Sequence, residues 1–204
     1  MSPETGTVFI VDDDPAICTA LARLCKFAGL PAKSFASARE FLAQAPVPGP
    51  GCLVLDLHLP GLSGLDLQEE LARAGIDLPI IFLTARGSVP ASVKAMKTGA
   101  VDFLEKPVDN QTLLVAVHQA LERDRQARRI HTRRQALKER FATLTPRERQ
   151  VFQMVAAGQL NKEIAFDLGT AERTIKAHRA NLMRKLNCGS LAELVRLAQE
   201  LEID

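Results

Sequence analysis

Apolar positions along the chain change their rhythm once. Up to about residue 106 they come in short runs: "TVFIVD" (7–12), "AKSF" (32–35), "CLVLD" (52–56), "PIIFLT" (79–84) and "VDFLEK" (101–106). Each is too short for a helix and bounded by turn residues, which predicts five strands. Stretches of helical periodicity separate them, over about 15–28, 38–44, 65–74 and 89–98, with another from 111 onward. Start and stop signals agree. Asp14 with Pro15 reads as an N-cap followed by proline at the first helical position, and Ser37 with Glu40 as a capping box. Gly29 and Gly99 fall where helices should end. Strict alternation of strands and helices predicts an α/β, doubly wound, five-stranded parallel sheet covered on both faces.

Beyond residue 107 no strand-like run appears. The segment "ERDRQARRIHTRRQALKERFATL" lacks Gly and Pro and is rich in helix formers. The apolar stripe of Leu114, Val117 and Leu121 dissolves there into Arg123, Arg125, Arg128, Arg129, Arg133 and Arg134. Too few apolar positions at heptad spacing remain for a coiled coil, so 123–140 reads as a charged helical linker. A contact of this run with a DNA backbone or between domains is the other reading. Leu137, Phe141 and Leu144 mark the start of a second core. Residues 141–204 then form a small all-α domain of four helices. Thr145, Pro146 and Glu148 open the first, which stops at Gly158. Asn161 caps a short second helix ending at Gly169, Thr170 opens a third reaching about Leu186, and Ser190 with Glu193 boxes the fourth.

Composition narrows the classes. An apolar fraction of 47% suits ordinary cores and tells against global disorder. Nine Phe with no Trp or Tyr disfavour an aromatic carbohydrate-binding surface. Cys18, Cys25, Cys52 and Cys188 show no zinc spacing, and read as reduced thiols of a cytoplasmic protein. The start, "MSPETGTVFIVDDD", resembles no signal peptide, and no run approaches the roughly 18 apolar residues of a membrane span. The net charge of +2 hides an asymmetry. Residues 1–119 carry 9 Lys/Arg against 13 Asp/Glu, and residues 120–204 carry 17 against 11. The second half is thus suited to a polyanion.

The chemistry gathers at strand ends. In such sheets ligands bind beyond the carboxyl ends of the strands. The first strand ends at Asp12 and Asp13, the third at Asp56, the fourth at Thr84, and the fifth runs into Lys106. Clustered carboxylates call for a hard divalent cation with oxygen ligands, of which Mg²⁺ is the natural choice. With lysine and threonine donors beside it, the set suits a phosphoryl group carried on one carboxylate.

The motifs "VDDD", "LDLHLPGLSG", "FLTA" and "DFLEKP" at these strand ends resemble the receiver domain of two-component response regulators, over about residues 6–122. The resemblance implies a flavodoxin-like receiver (1–122) in which Asp56 accepts phosphate from a sensor histidine kinase or a small phosphodonor. It further implies Mg²⁺ held by Asp13, Asp56 and the main-chain carbonyl of His58, with Asp12 helping through water. Thr84 and Lys106 would bind the phosphoryl oxygens, Lys106–Pro107 would be cis, and Phe103 would be an aromatic switch turning inward as Thr84 moves. The face formed by the fourth helix, fifth strand and fifth helix would then dimerise. His58 and Arg86, two residues beyond Asp56 and Thr84, stand where receivers vary and tune phosphate lifetime; each reads either as a neighbour of the phosphoryl group or as a solvated loop residue.

In the second domain, a short helix, a Gly-containing turn and a longer basic helix make a helix-turn-helix. Ile175, Leu182 and Leu186 face its core, leaving Arg173, Lys176, Ala177, Ala180, Asn181 and Arg184 mostly on the other side. Lys and Arg meet phosphates or guanine edges, Asn pairs with adenine, and Ala touches the thymine methyl. "LTPRERQVF", "NKEIA" and "RTIKAHRANLMRKL" are similar to the LuxR-type output domain of the FixJ/NarL class of response regulators, nearer the FixJ branch. That implies Lys176, Ala177 and Ala180 toward base edges, and Lys162, Arg179, Arg184 and Lys185 toward the DNA backbone. The whole chain therefore reads as a transcription factor, more an activator than a repressor, that is not an enzyme beyond slow loss of phosphate from Asp56. Its expected partners are a kinase, promoter DNA, RNA polymerase and, when phosphorylated, a second copy. The other readings are a Mg²⁺-dependent phosphotransfer enzyme and a DNA-binding scaffold indifferent to phosphorylation.

Overall fold

Alternating side chains on the inner strands fix the layering of the sheet. The computed structural model describes residues 6–45, 48–85 and 88–201, and the chain divides into two compact units, 1–128 and 129–204. In the first unit β1 (Thr7–Val11), β2 (Ala32–Phe35), β3 (Gly51–Leu55), β4 (Ile80–Thr84) and β5 (Asp102–Glu105) form one parallel sheet in the order β2-β1-β3-β4-β5. Between them run α1 (Pro15–Phe27), α2 (Ala38–Leu42), α3 (Gly64–Arg73) and α4 (Val89–Lys97), and α5 (Asn110–Ala142) follows.

Phe9, Val11, Leu53, Leu55, Ile80 and Phe82 pack toward α2, α3 and α4. The residues between them, Val8, Ile10, Cys52, Val54, Ile81 and Leu83, pack toward α1 and α5. With both faces buried, the strands read as continuous apolar runs. Each large side chain fully buried here contributes about 1.5–3 kcal/mol. Cys18 and Cys25 lie in the second of these cores, and all four cysteines are free and buried.

The caps follow local chemistry with small departures. Asp14 caps α1 by accepting from the Ala16 N–H at 2.8 Å. Ser37 accepts from the Glu40 N–H, but the Glu40 carboxylate reaches back one residue further than a capping box requires, to the Ala36 N–H. Ser63 and Asp66 form a complete box that starts α3 one residue earlier than the periodicity predicts.

The largest departure concerns the charged run. Asp124, expected in a solvated linker, is 2% exposed. Its carboxylate accepts from the Gly51 N–H and from Arg128 Nε, each at 2.7 Å. The amide that opens β3 would otherwise be a buried donor without a partner, so α5 stays part of the first unit's packing beyond residue 122.

In the second unit α6 (Pro146–Ala156), α7 (Asn161–Asp167), α8 (Glu172–Leu186) and α9 (Leu191–Glu200) enclose Val151, Phe152, Ile164, Ile175, Leu182 and Leu194. The Phe141 ring stands edge-on to Phe152 at 5.2 Å. Thr145 and Glu148 form the expected capping box. Three other expected caps are corrected. Leu160, not Asn161, occupies the N-cap of α7, because the Glu163 carboxylate takes up the Leu160 N–H and leaves the Asn161 side chain for another partner. Thr170 closes α7 by donating its N–H to Ala165 O, and α8 starts from Ala171 without a side-chain cap. Ser190 caps α9, while Glu193 accepts from the Gly189 N–H rather than completing a box.

Candidate functional site

The strand order reverses at β1, so the crevice lies between the carboxyl ends of β1 and β3. The residues one step past the strands are held by the sheet's own hydrogen bonds. The Asp12 N–H donates to Phe35 O, Asp56 to Val11 O and Lys106 to Thr84 O, at 3.2, 2.9 and 2.8 Å. A rigid sheet edge thus carries the functional side chains. They line a cavity of about 330 Å³ with Asp13, Asp14, Ile17, His58 and Ala85. Asp12, Asp56 and Thr84 are buried, while Asp13 and His58 are exposed.

Lys106 holds the carboxylates together. Its Nζ is 2.5 Å from Asp12 Oδ2 and 3.4 Å from Asp56 Oδ1. Burial would lower the ammonium pKa, but the hydrogen bond and charge of Asp12, helped by Asp56, outweigh it and raise the pKa. Backbone amides occupy the remaining near oxygens: the Asp14 N–H donates to Asp12 Oδ1 and the His58 N–H to Asp56 Oδ2, both at 3.0 Å. His58 Nδ1 stands 3.3 Å from Thr84 Oγ1. The lining is thus anionic oxygen on one side and a fixed cation with a hydroxyl on the other. Such a cavity suits a hard cation and a transferable oxyanion. Among the described residues no group of three or more His, Cys, Asp or Glu is drawn together as a ready metal cluster. The Lys106–Pro107 bond is cis, and Arg86 lies outside the described residues.

The loop after β3 presses against this edge. A Cβ on Gly64 would stand 2.3 Å from the carbonyl oxygen of Asp56 and 3.1 Å from Leu57 Cα, both backbone atoms. Gly64→Ala is expected to lower stability by about 1–3 kcal/mol, as overpacking does, and to displace Asp56. A urea unfolding midpoint equal to the wild type's would contradict that close approach. Phe103 lies half-buried, its ring 5.9 Å from that of Phe82. On α4 the side chains of Val89, Val93 and Met96 form an exposed apolar stripe.

On α8, Arg173, Lys176, Ala177, Ala180, Asn181 and Arg184 are all exposed, opposite the buried Ile175, Leu182 and Leu186. Their spacing makes one continuous stripe. Lys176 pairs with the exposed Glu172, and Arg184 donates to Asn181 Oδ1. Lys162 is exposed on α7. The other two candidate cations are tied into the unit itself. Arg179 donates to Asn161 Oδ1 at 2.6 Å, bracing α7 on α8. Lys185 donates to Glu148 Oε2 at 2.6 Å and to Thr143 O at 3.2 Å, bracing α8 on α6. Arg147, which the sequence did not single out, donates to Leu168 O at the end of α7.

Burial would raise the Glu148 pKa, but hydrogen bonds from Lys185 and Thr145 hold it below the ordinary value of 4.5. A depressed carboxylate contributes stability above its unfolded pKa and loses it as pH falls through the folded one. Acidification below about 4.5 is therefore expected to loosen α6 and α8, read as amide-exchange protection, and Glu148→Gln is expected to flatten that pH dependence.

Comparison with known proteins covers both units. Residues 8–118 match the response regulator receiver domain, and residues 142–198 match the bacterial regulatory proteins of the luxR family. Nodulation protein W of Bradyrhizobium diazoefficiens is 48% identical over 196 residues, spanning 96% of this chain and 86% of the relative. The transcriptional regulatory protein FixJ of Rhizobium meliloti is 42% identical over 192 residues, spanning 94% of each. Among solved structures, response regulator StyR superposes with a TM-score of 0.88 at 44% identity, over 96% of this chain and 99% of that one. Full-length FixJ from B. japonicum gives 0.60 at 38%, over 99% and 100%.

Proposed function

The chain belongs to the transcriptional response regulators that join a receiver domain to a LuxR-type DNA-binding domain, and on that premise we propose that phosphorylation of Asp56 controls its affinity for promoter DNA. The observation that carries this reading is the buried Asp56 carboxylate, whose Oδ1 is 3.4 Å from the Lys106 ammonium and whose Oδ2 accepts the His58 N–H. A carboxylate oxygen of Asp56 attacks the phosphorus of a phosphohistidine on a sensor kinase. The P–N bond breaks, the imidazole keeps the electron pair and takes a proton, and an acyl phosphate forms on Asp56. Lys106 neutralises charge on the transferred oxygens, and the Thr84 hydroxyl donates to them.

Mg²⁺ fits the donor set of the cavity: Asp13, Asp56 and the main-chain carbonyl of His58 would hold it, with Asp12 supporting it. It usually takes only one or two carboxylates and keeps several waters, so a closed three-carboxylate cluster is not required. When bound, it neutralises the charge that builds on the phosphoryl oxygens.

Phosphorylation shifts the receiver toward a second conformation in which Thr84 and Phe103 have moved. The apolar α4 stripe of Val89, Val93 and Met96 supports a dimer contact in that state. Two α8 helices then act on paired half-sites, and linkage raises their effective concentration. Lys176, Ala177, Ala180 and Asn181 meet base edges, while Arg173, Arg184 and Lys162 meet phosphates. The protein works in the cytoplasm and acts with RNA polymerase at the promoters it binds. Acetyl phosphate with Mg²⁺ is expected to add one acyl phosphate, which borohydride reduction followed by peptide mass mapping places at Asp56. Incorporation elsewhere, or none, would sink the proposal.

A further inference from the structure

Only Gly169 and Thr170 separate Leu168, the C-cap of α7, from Ala171, the N-cap of α8. So short a link carries any displacement of Leu168 into the start of α8. The turn closes with the Gly169 N–H on Phe166 O and the Thr170 N–H on Ala165 O, at 3.1 and 2.9 Å. The Leu168 carbonyl lies past these bonds and is taken up from α6. Arg147 Nη2 donates to it at 2.8 Å, while Nη1 donates to Gln150 Oε1 at 3.2 Å. Leu168 is therefore held twice, its side chain against the apolar core and its carbonyl by a guanidinium. That bond joins α6 to α7. Lys185 on Glu148 joins α8 to α6, and Arg179 on Asn161 joins α8 to α7, both at 2.6 Å. Arg147 and Glu148 share the first turn of α6, which Thr145 caps. One turn thus reaches the entry of α8 through Leu168 and its last turn through Lys185. Apolar packing draws the three helices together but is non-directional, whereas charge-assisted hydrogen bonds fix direction.

We propose that Arg147 is a positioning residue for base readout: by fixing the Leu168 carbonyl it sets the angle at which α8 leaves the turn, and with it which base edges Lys176 and Asn181 reach. The inference rests on the reading of α8 as the recognition helix and deepens it. Arg147 touches neither base nor phosphate in this account. Base edges present a fixed pattern of donors and acceptors, so a tilted α8 loses discrimination. Phosphate contacts carry no sequence information directly and survive the same tilt through long, flexible side chains.

The test compares the full-length wild type with Arg147→Met, which keeps the apolar stem and removes the donors, and with Arg147→Lys, which keeps one cationic donor. Arg147 is half-buried, so the stem of either replacement has room. Each protein, with Mg²⁺ and beryllofluoride, is titrated over a range of salt with a duplex selected from a randomised pool and with a scrambled one. The ratio of selected to scrambled affinity is expected to fall about tenfold in Arg147→Met, and Arg147→Lys to recover most of it. Affinity for the scrambled duplex and its salt slope are expected to stay as in the wild type. Amide exchange at the Thr170 N–H reads the turn itself and is expected to quicken in Arg147→Met, while the Leu182 N–H in the core keeps its protection. An unchanged affinity ratio in Arg147→Met overturns the inference. So does a loss on both duplexes with a salt slope smaller by about one contact, which would make Arg147 a phosphate ligand. An unfolded Arg147→Met overturns it too, since the bond would then hold the fold rather than an angle. A wild type that does not discriminate between the duplexes overturns the reading of α8 instead, and the inference falls with it.

Discussion

Asp56→Asn is expected to fold as the wild type does and to incorporate no phosphate from any donor. The amide keeps an oxygen for the His58 N–H but lacks the anionic nucleophile. Little stability is lost, because the principal partner of Lys106 is Asp12 at 2.5 Å, and Asp56 is the longer contact at 3.4 Å. One negative charge fewer beside Asp12 and Asp13 also eases repulsion. Lys106→Met should behave differently. It leaves Asp12, 4% exposed, as a buried carboxylate without its cation, which costs about 3–5 kcal/mol. It also removes a donor aimed at the transferred oxygens, worth about 10²–10³ in rate. Radiolabelled phosphate uptake and urea unfolding separate the two outcomes: stable and inert for the first variant, unstable and slow for the second. A destabilised Asp56→Asn, or one that still takes up phosphate, would contradict the geometry.

The second large effect is expected on α8. Lys176→Ala should weaken binding to a selected duplex by about 1–3 kcal/mol and relax discrimination at one base position. Lys162→Ala should weaken all sequences alike and reduce the salt slope by about one phosphate contact. Lys185→Ala should instead lower stability, since its ammonium is bound to the buried Glu148. Binding measured against salt for the three variants checks this division. A Lys185 variant that stays stable while its salt slope falls would return that residue to the DNA interface.

The sheet and the pocket were legible in the sequence because both depend on local order. Apolar runs such as Cys52–Leu55 need no knowledge of their neighbours to be read as buried strands. The rule that ligands gather at carboxyl ends then places Asp12, Asp56, Thr84 and Lys106 together. The roles of Asp124 and Lys185 were not legible, because each depends on a partner far along the chain. The Gly51 amide that Asp124 accepts is 73 residues away. Nothing in "LERDRQ" distinguishes that carboxylate from its exposed neighbour Glu122. Lys176 and Lys185 look alike on one helix until Glu148, 37 residues before Lys185, is seen beside it. Asn161 shows the converse. Its type favours an N-cap, yet Glu163 satisfies the Leu160 N–H and Arg179 claims the asparagine oxygen.

The central claim is that the Asp56 pocket controls the DNA-binding surface. Its most direct test is the affinity of full-length protein for a duplex selected from a randomised pool, measured with Mg²⁺ at fixed salt, with and without beryllofluoride. The account predicts that fluoride raises the affinity and the dimer fraction of the wild type and changes neither in Asp56→Asn. Equal affinity for both proteins under both conditions would show a DNA-binding scaffold whose receiver does not control it.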